Sequence, residues 1–276
     1  MPSILVLRFA DSSPGFAAAD VDVPDVSVPD ISAPDIAPRW LLGAATAICG
    51  SAGDGPSGRE PFSVGQRPGA TWRLGWLDDD APPPNWPPAE VRFGSRARAV
   101  AGAETHRQSY GELARGLPVR RVRLTMTTPT FFTRDGHDLP LPDPALIVRG
   151  LLVRWNGYAP APLRIGAGDA RTLVGAVGLA GLWGASADVE LGHGLRQTGF
   201  VGEAELRLLA GTSDYLATMF TALARFAAYA GLGERTAYGF GAVDVDLALV
   251  TELAGMPVPR PARPATTAAP ARAAAH

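Results

Sequence analysis

The chain has 276 residues, 46% hydrophobic and 8% aromatic, enough to bury one large core or two of ordinary domain size, which excludes a disordered protein overall. All 25 of its basic residues are arginine, so lysine can serve neither as base nor as phosphate clamp; any anion contact falls to guanidinium, backbone N–H or histidine. One cysteine, Cys49, excludes a disulfide framework and a Cys-rich zinc site, and no stretch approaches the ~20 apolar residues of a membrane helix.

A reducing cytoplasm is therefore the expected compartment, with no membrane partner, and no metal or cofactor is expected. The net charge of −2 hides an uneven distribution. Residues 11–35 carry six aspartates and no arginine, and Asp78, Asp79 and Asp80 add three more acids. Residues 92–123 carry eight arginines against Glu104 and Glu112. A positive surface is compatible with this chain although its overall charge does not demand one.

In chain order, Ser3–Phe9 reads as a short branched strand bounded by Asp and Pro. A degenerate repeat follows, Val23-Pro-Asp-Val-Ser, Val28-Pro-Asp-Ile-Ser, Ala33-Pro-Asp-Ile-Ala, whose proline every five residues forbids a helix. Arg39–Cys49 is an Ala-rich helix ending near Gly50. Pro61–Arg67 and Thr71–Leu77 form a hairpin, the proline-rich 81–88 cannot be helical, and Glu90–Val100 is one further strand. Trp72, Trp76 and Trp86 fit core or rim packing better than base stacking.

The second half is clearer. Val119–Met126 alternates Val122, Leu124 and Met126 with Arg121, Arg123 and Thr125, the period of a half-buried strand. Asp143 and Pro144 cap a helix with the stripe Val148, Leu151, Leu152, Trp155, closed by Gly157. A Gly/Ala-rich helix is expected near 170–181, and Val189–Leu195 with Phe200–Leu209 form a hairpin. Asp214–Ala230 is the strongest helix, with Leu216, Met219, Phe220, Leu223, Ala227 and Ala230 on one face. Phe240–Leu247 closes the series. Residues 119–248 thus run β-α-β-β-α-β with one added helix, the order of a ferredoxin-like domain. The fold class is α+β, tandem ferredoxin-like (RAMP/RRM-like) domains, the first abbreviated. The expected boundaries are 1–102 with an Asp/Pro-rich insertion at 11–38, a linker at 103–118, a second domain at 119–250 and a disordered tail at 251–276.

The segment Ala230-Gly-Leu-Gly-Glu-Arg-Thr-Ala-Tyr-Gly-Phe-Gly241 doubles a Gly-x-Gly pattern between a helix and a strand. A dinucleotide-binding Gly-x-Gly-x-x-Gly runs from strand into helix, so that reading is excluded. Glycine lets backbone amides approach phosphate oxygens, and Arg235 can add a bidentate contact. The candidate phosphate-binding residues are Gly231, Gly233, Arg235, Thr236, Tyr238, Gly239 and Gly241, with Arg121 and Arg123 on the strand face; a helix cap followed by a Gly-rich strand entry is the plainer alternative.

That loop, the preceding Phe226-Ala-Ala-Tyr-Ala-Gly-Leu-Gly and the upstream Thr198-Gly-Phe-Val-Gly-Glu-Ala-Glu-Leu resemble the CRISPR-associated endoribonuclease family that processes crRNA precursors, the sixth Cas protein. Thr128-Pro-Thr-Phe-Phe with Leu139-Pro-Leu-Pro-Asp-Pro is similar to the family motif opening the second domain, and Pro61-Phe-Ser-Val to the hairpin entry of the first. The resemblance covers about 60–248. It implies CRISPR repeat RNA as partner, held by the Gly-rich loop and a basic face that includes Arg59. It also implies metal-independent cleavage, in which a ribose 2′-OH attacks the adjacent phosphate and leaves a 2′,3′-cyclic phosphate.

The family's usual base is a histidine in or just after the first helix, and Arg39–Arg59 holds none. The reaction needs a proton acceptor, a donor for the leaving 5′-oxygen and cations for the phosphorane. His137, beside Arg134, or His193, beside Arg196, can substitute; each also reads as an exposed loop histidine, as does His106. Cleavage without histidine, through Arg39, Arg59 and Tyr238, is a second route. A crRNA-binding subunit of an effector complex that does not cut is a third reading, with other Cas subunits as partners. From another class, tandem ferredoxin-like domains also serve as small-molecule sensors or assembly modules.

Overall fold

The computed structural model describes residues 1–10, 36–50, 60–66, 71–79, 83, 85–192 and 194–247. The Asp-Pro repeat, Arg59, Asp80, His193 and the tail lie outside the described residues.

The first unit is a five-stranded antiparallel sheet. Its strands are β1 (Ser3–Phe9), β2 (Phe62–Gln66), β3 (Thr71–Trp76), β4 (Glu90–Phe93) and β5 (Arg96–Arg107), in the order β2-β3-β1-β5-β4. Helix α1 (Pro38–Cys49) lies between β1 and β2 in the chain. Alternation sends Leu5, Leu7 and Phe9 of β1 to the helix side, where they meet Leu41, Ala44, Ala45 and Ile48 of α1 and Trp72, Leu74 and Trp76 of β3. Those tryptophans are therefore core, with Trp86 packed at the margin. The single strand expected at Glu90–Val100 is a hairpin. Gly94, at φ +61, makes the turn after Phe93, and β5 then runs on to Arg107, through the first part of the stretch read as a linker.

The second unit begins with the short helix α2 (Tyr110–Ala114), fixed by a capping box between Ser109 and Glu112. Its sheet has the order β11-β6-β10-β9, from β6 (Arg121–Thr130), β9 (Val177–Gly192), β10 (Leu195–Leu208) and β11 (Val243–Asp246). A small hairpin, β7 (Phe132–Arg134) and β8 (His137–Leu139), follows β6 directly. Helices α3 (Pro144–Tyr158), α4 (Ala167–Ala176) and α5 (Asp214–Ala230) complete it. Asp143 caps α3 by accepting from the Leu146 N–H at 2.9 Å. Helix α3 runs past Gly157 and ends at Tyr158, before Ala159 and Pro160. Helix α4 stops at Ala176 rather than 181, because Val177 enters a 16-residue strand. The hairpin expected to begin at Val189 is correspondingly longer, its first strand starting at Val177 and its second ending at Leu208.

Both sheets share one plan. The first, third and second strands of each unit lie side by side and the last joins the outer flank of the first, so the fold is α+β with tandem ferredoxin-like domains. In the first, β4 is an addition and, among the described residues, one helix is missing. Among the described residues no helix is long and apolar enough to cross a membrane.

The two units pack tightly. Ser63 Oγ donates to Tyr229 O at 2.6 Å, and a Cβ on Gly75 would stand 2.1 Å from that same carbonyl. Only glycine admits the end of α5 so close to β3. The guanidinium of Arg73, 6% exposed, reaches from β3 to Asp244 at 2.9 Å and to Val243 O at 3.0 Å.

Candidate nucleic-acid interface

The doubled-glycine turn starts where α5 ends. Gly231, at φ +70, closes the helix with its N–H on Ala227 O at 2.8 Å. The chain then folds onto its neighbours. Leu232 N–H donates to Gly241 O (2.8 Å), Glu234 N–H to Phe131 O (2.9 Å), Gly241 N–H to Pro129 O (3.1 Å) and Ala242 N–H to Thr128 Oγ1 (2.9 Å). A single 3-10 turn, Thr236–Tyr238, sits in the middle, with Tyr238 N–H on Arg235 O at 2.9 Å. At Gly241, also at positive φ, a Cβ would fall 1.8 Å from Leu232 O.

The expectation that this turn exposes its amides to phosphate is thus corrected. Gly231, Thr236 and Gly241 are buried, Gly233, Tyr238 and Gly239 are half-buried, and the bonded amides face carbonyls and a hydroxyl of this same chain. The physical reason is the turn's place at the domain junction, where buried backbone groups must be paired internally. Ala237 and Tyr238 join the first domain's core beneath α1, and a Cβ at Gly239, which stands at φ +91, would come within 2.6 Å of Leu41 Cδ1 of α1. From below, Arg154 of α3, 3% exposed, donates to Ala230 O, to Thr236 Oγ1 at 2.5 Å and to Phe62 O at 3.3 Å. One guanidinium therefore ties together the end of α5, the turn and the first strand of the first domain's hairpin. The sequence held a signal for it: Arg154 lies three residues after Leu151 and seven after Ile147, inside the apolar stripe.

Arg235 is the exception in the turn. It is exposed, holds a left-handed φ of +53, and carries its guanidinium carbon 5.9 Å from the centre of the Phe131 ring. A non-glycine residue at positive φ is uncommon and marks a conformation fixed by its surroundings. Phe131 is also the residue from which the β7–β8 hairpin departs, so Arg235 and His137 rise from one strand end. His137 is exposed and pairs with Arg134 across that hairpin. Arg134 in turn binds Asp143 at 2.5 Å. Burial works against the Asp143 charge, but the Leu146 N–H and the Arg134 guanidinium overcome it and hold the carboxyl below its ordinary range.

The long β9–β10 hairpin closes the third side. Val189 packs with Phe131 and Phe240, and Leu191 and Tyr238 lie against them. His193 falls outside the described residues, while Leu195 and Arg196 beside it are exposed. Helix α1 abuts the 3-10 turn and presents an exposed Arg39, stacked 5.1 Å from the Trp40 ring. His106 lies elsewhere, exposed on β5 with Nε2 4.0 Å from Glu104. Among the described residues no group of three or more His, Cys, Asp or Glu could hold a metal ion.

Arg121 and Arg123 are corrected as well. They do share a face of β6, but β10 lies beside it and brings Glu205 to 3.0 Å from Arg121 and Glu203 to 3.6 Å from Arg123. Glu205 is 5% exposed, so its charge is committed to that pair. Asp244 and Asp246 of β11 flank the same face, which is balanced rather than basic. The alternating Glu203, Glu205 and Arg207 were visible in the sequence; that they neighbour Arg121 and Arg123 follows only from the strand order.

Residues 124–243 match the family model described as CRISPR-associated endoribonuclease Cas6. No curated protein sequence matches the chain. A solved Cas6 product complex is similar at a TM-score of 0.66 and 24% identity, over 89% of this chain and 99% of that one. The substrate-mimic complex of the same Cas6 gives 0.64 and 25%, over 89% and 99%. A Cas6 from Thermus thermophilus gives 0.59 and 23%, over 89% and 98%. Over residues 124–243 the second domain is thus similar to the family of the CRISPR-associated endoribonuclease Cas6.

Proposed function

We propose that the protein binds CRISPR repeat RNA and processes precursor crRNA at the junction of its two domains. The observation that carries this reading is the family match, which encloses both the Arg235 turn and the β7–β8 hairpin. The solved substrate-mimic complex of a Cas6 with the same fold supports it.

In the proposed reaction a ribose 2′-OH attacks the adjacent phosphorus, its proton passes to a base, and the 5′-oxygen leaves with a proton, yielding a 2′,3′-cyclic phosphate and a 5′-hydroxyl. Arg235, exposed beside Phe131, supplies positive charge to the phosphorane, and Arg39 at the start of α1 adds a second guanidinium. His137 is the proposed proton acceptor among the described residues, with His193 as its partner candidate. Gly233, Tyr238 and Gly239, half-buried, shape the wall beneath Arg235. The test is a labelled hairpin repeat RNA incubated with the protein in EDTA. One cut leaving a 5′-hydroxyl supports the enzyme. An H137A/H193A double variant cutting at the wild-type rate removes both histidines as base.

A second reading has one observation in its favour: the span Arg39–Arg59 holds no histidine. The protein then holds crRNA inside an effector complex beside other Cas subunits and does not cut. Intact RNA in a stable complex in the same assay supports it. Both readings require binding that weakens steeply between about 50 and 200 mM salt, as counterions are released from phosphate; a flat salt response overturns both and favours a sensor or assembly module.

A further inference from the structure

Helices α3 and α4 leave a cleft of about 460 Å³ between them. Asn156 of α3 fixes their spacing: its amide accepts from Ile165 N–H and donates to Ile165 O, both at 2.8 Å, so α4 folds back against α3. From α3 the lining side chains are Arg149, Leu152, Val153 and Asn156, at i, i+3, i+4 and i+7, the row that a helix presents along one side. From α4 they are Ala170, Arg171 and Val174. Leu152 forms a buried floor, Ala170 and Val174 are half-buried, and Val153 is 47% exposed. Helix α4 itself buries only Leu173. An apolar seam is thus left open where the two helices meet.

Charge narrows what can fill it. Arg149 and Arg171 stand exposed, one on each helix, and among the described residues neither makes a hydrogen bond or an ion pair. Elsewhere in this domain Arg120, Arg121, Arg123 and Arg134 each have a carboxylate at hand. Asp169, the acid nearest Arg171 in the chain, accepts from Tyr215 Oη at 3.1 Å and is engaged with α5. Two uncommitted cations beside an apolar floor fit a ligand that is apolar along one side and anionic along its flanks. A small molecule would stay largely wet in so open a trough. Nucleic acid, held mainly through its phosphates, gains nothing from a floor of leucine and valine. A helix with an apolar stripe and acidic flanks matches both features, because stripe residues three and four apart seat between the two rows.

We propose that the α3–α4 cleft docks an acidic amphipathic helix of a partner protein. Its apolar stripe lies on Leu152, Val153 and Val174, and its carboxylates pair with Arg149 and Arg171. The docked helix completes the seam that α4 is too short to close. The contact is small, so it is weak and reversible, and the rim charges decide which helix is accepted. This inference does not rest on the RNA reading, because neither Arg235 nor His137 takes part in it.

The test is fluorescence anisotropy of a labelled peptide of about 14 residues, roughly 21 Å long as a helix, with leucine along one stripe and glutamate on the flanks. The full chain should bind it with a dissociation constant of about 1–100 µM. A peptide of the same composition with its leucines scattered should bind about tenfold more weakly, as should one with lysine in place of glutamate. The R149E/R171E variant should reverse that order and prefer the lysine peptide. Val153→Glu alters only an exposed side chain; it should keep the wild-type unfolding midpoint and lose about tenfold in affinity for the glutamate peptide. No binding by the wild type, equal binding of the striped and scattered peptides, or an unreversed preference in R149E/R171E overturns the proposal. Displacement of the bound peptide by repeat RNA assigns the cleft to nucleic acid and overturns it as well.

Discussion

The two ferredoxin-like units answer the same problem in different ways. The second covers its sheet with α3, α4 and α5 and holds the larger apolar cluster, centred on Trp155 and Phe226. Among the described residues the first has one helix of its own; the stretch that would supply another is proline-rich, and its Trp86 packs against the core. Its remaining needs are met from outside: Ala237 and Tyr238 complete the cluster under α1, and the end of α5 lies against Ser63 and Gly75. A short domain can thus keep a ferredoxin-like sheet by using a neighbour's turn as part of its interior. The doubled-glycine motif serves that purpose first, and it offers the solvent chiefly Arg235.

The comparison breaks most visibly at Arg154. Arg154→Met leaves Ala230 O, Thr236 Oγ1 and Phe62 O without their shared donor and should cost about 3 kcal/mol. Urea unfolding should lose midpoint and split into two transitions as the first domain separates; a single unshifted transition would show that the units do not lean on this residue. Gly75→Ala tests the same dependence from the other side, since its Cβ cannot fit beside Tyr229 O, and should cost about 1–3 kcal/mol with the loss concentrated in the first domain.

Arg235→Ala should leave unfolding unchanged because the side chain is exposed, while weakening repeat-RNA binding about tenfold and lowering the salt slope by about one. Arg121→Ala is the contrast: it strands Glu205 and lowers stability without changing that slope. Equal slopes for the two variants would sink the assignment of Arg235. The smallest effect is at the α3 cap. Asp143→Ala should cost about 1 kcal/mol near neutral pH, read by thermal unfolding. Because the folded state holds that carboxyl below its ordinary range, its contribution is present above the unfolded carboxyl pKa and disappears as pH falls through the folded one. Wild type and variant should therefore converge in acid.

Most of the fold was legible in local pattern. A short branched run bounded by Asp and Pro located β1, period-two alternation located β6, and the stripe from Leu216 to Ala230 located α5 to the residue. What failed were the decisions that belong to neighbours. Gly157 did not end α3, because the helix runs one residue further to bury Tyr158, and Glu90–Val100 hid a turn that only β4–β5 pairing reveals. The site was legible as a place rather than as a set of contacts. Glycine spacing located the turn, but whether an amide faces phosphate or a carbonyl depends on what packs behind it, and Pro129, Phe131 and Arg154 all lie far away in the chain, Arg154 76 residues from Ala230.

The borrowed interior also has a cost in time. Strand β5 ends at Arg107, yet the residues that finish the core beneath α1 are Ala237 and Tyr238. Ribosomes add roughly 5–20 residues per second, so the amino-terminal half waits on the order of ten seconds during synthesis with that apolar surface uncovered. Its yield in a cell should accordingly track translation speed and chaperone supply more closely than the finished protein's stability would suggest.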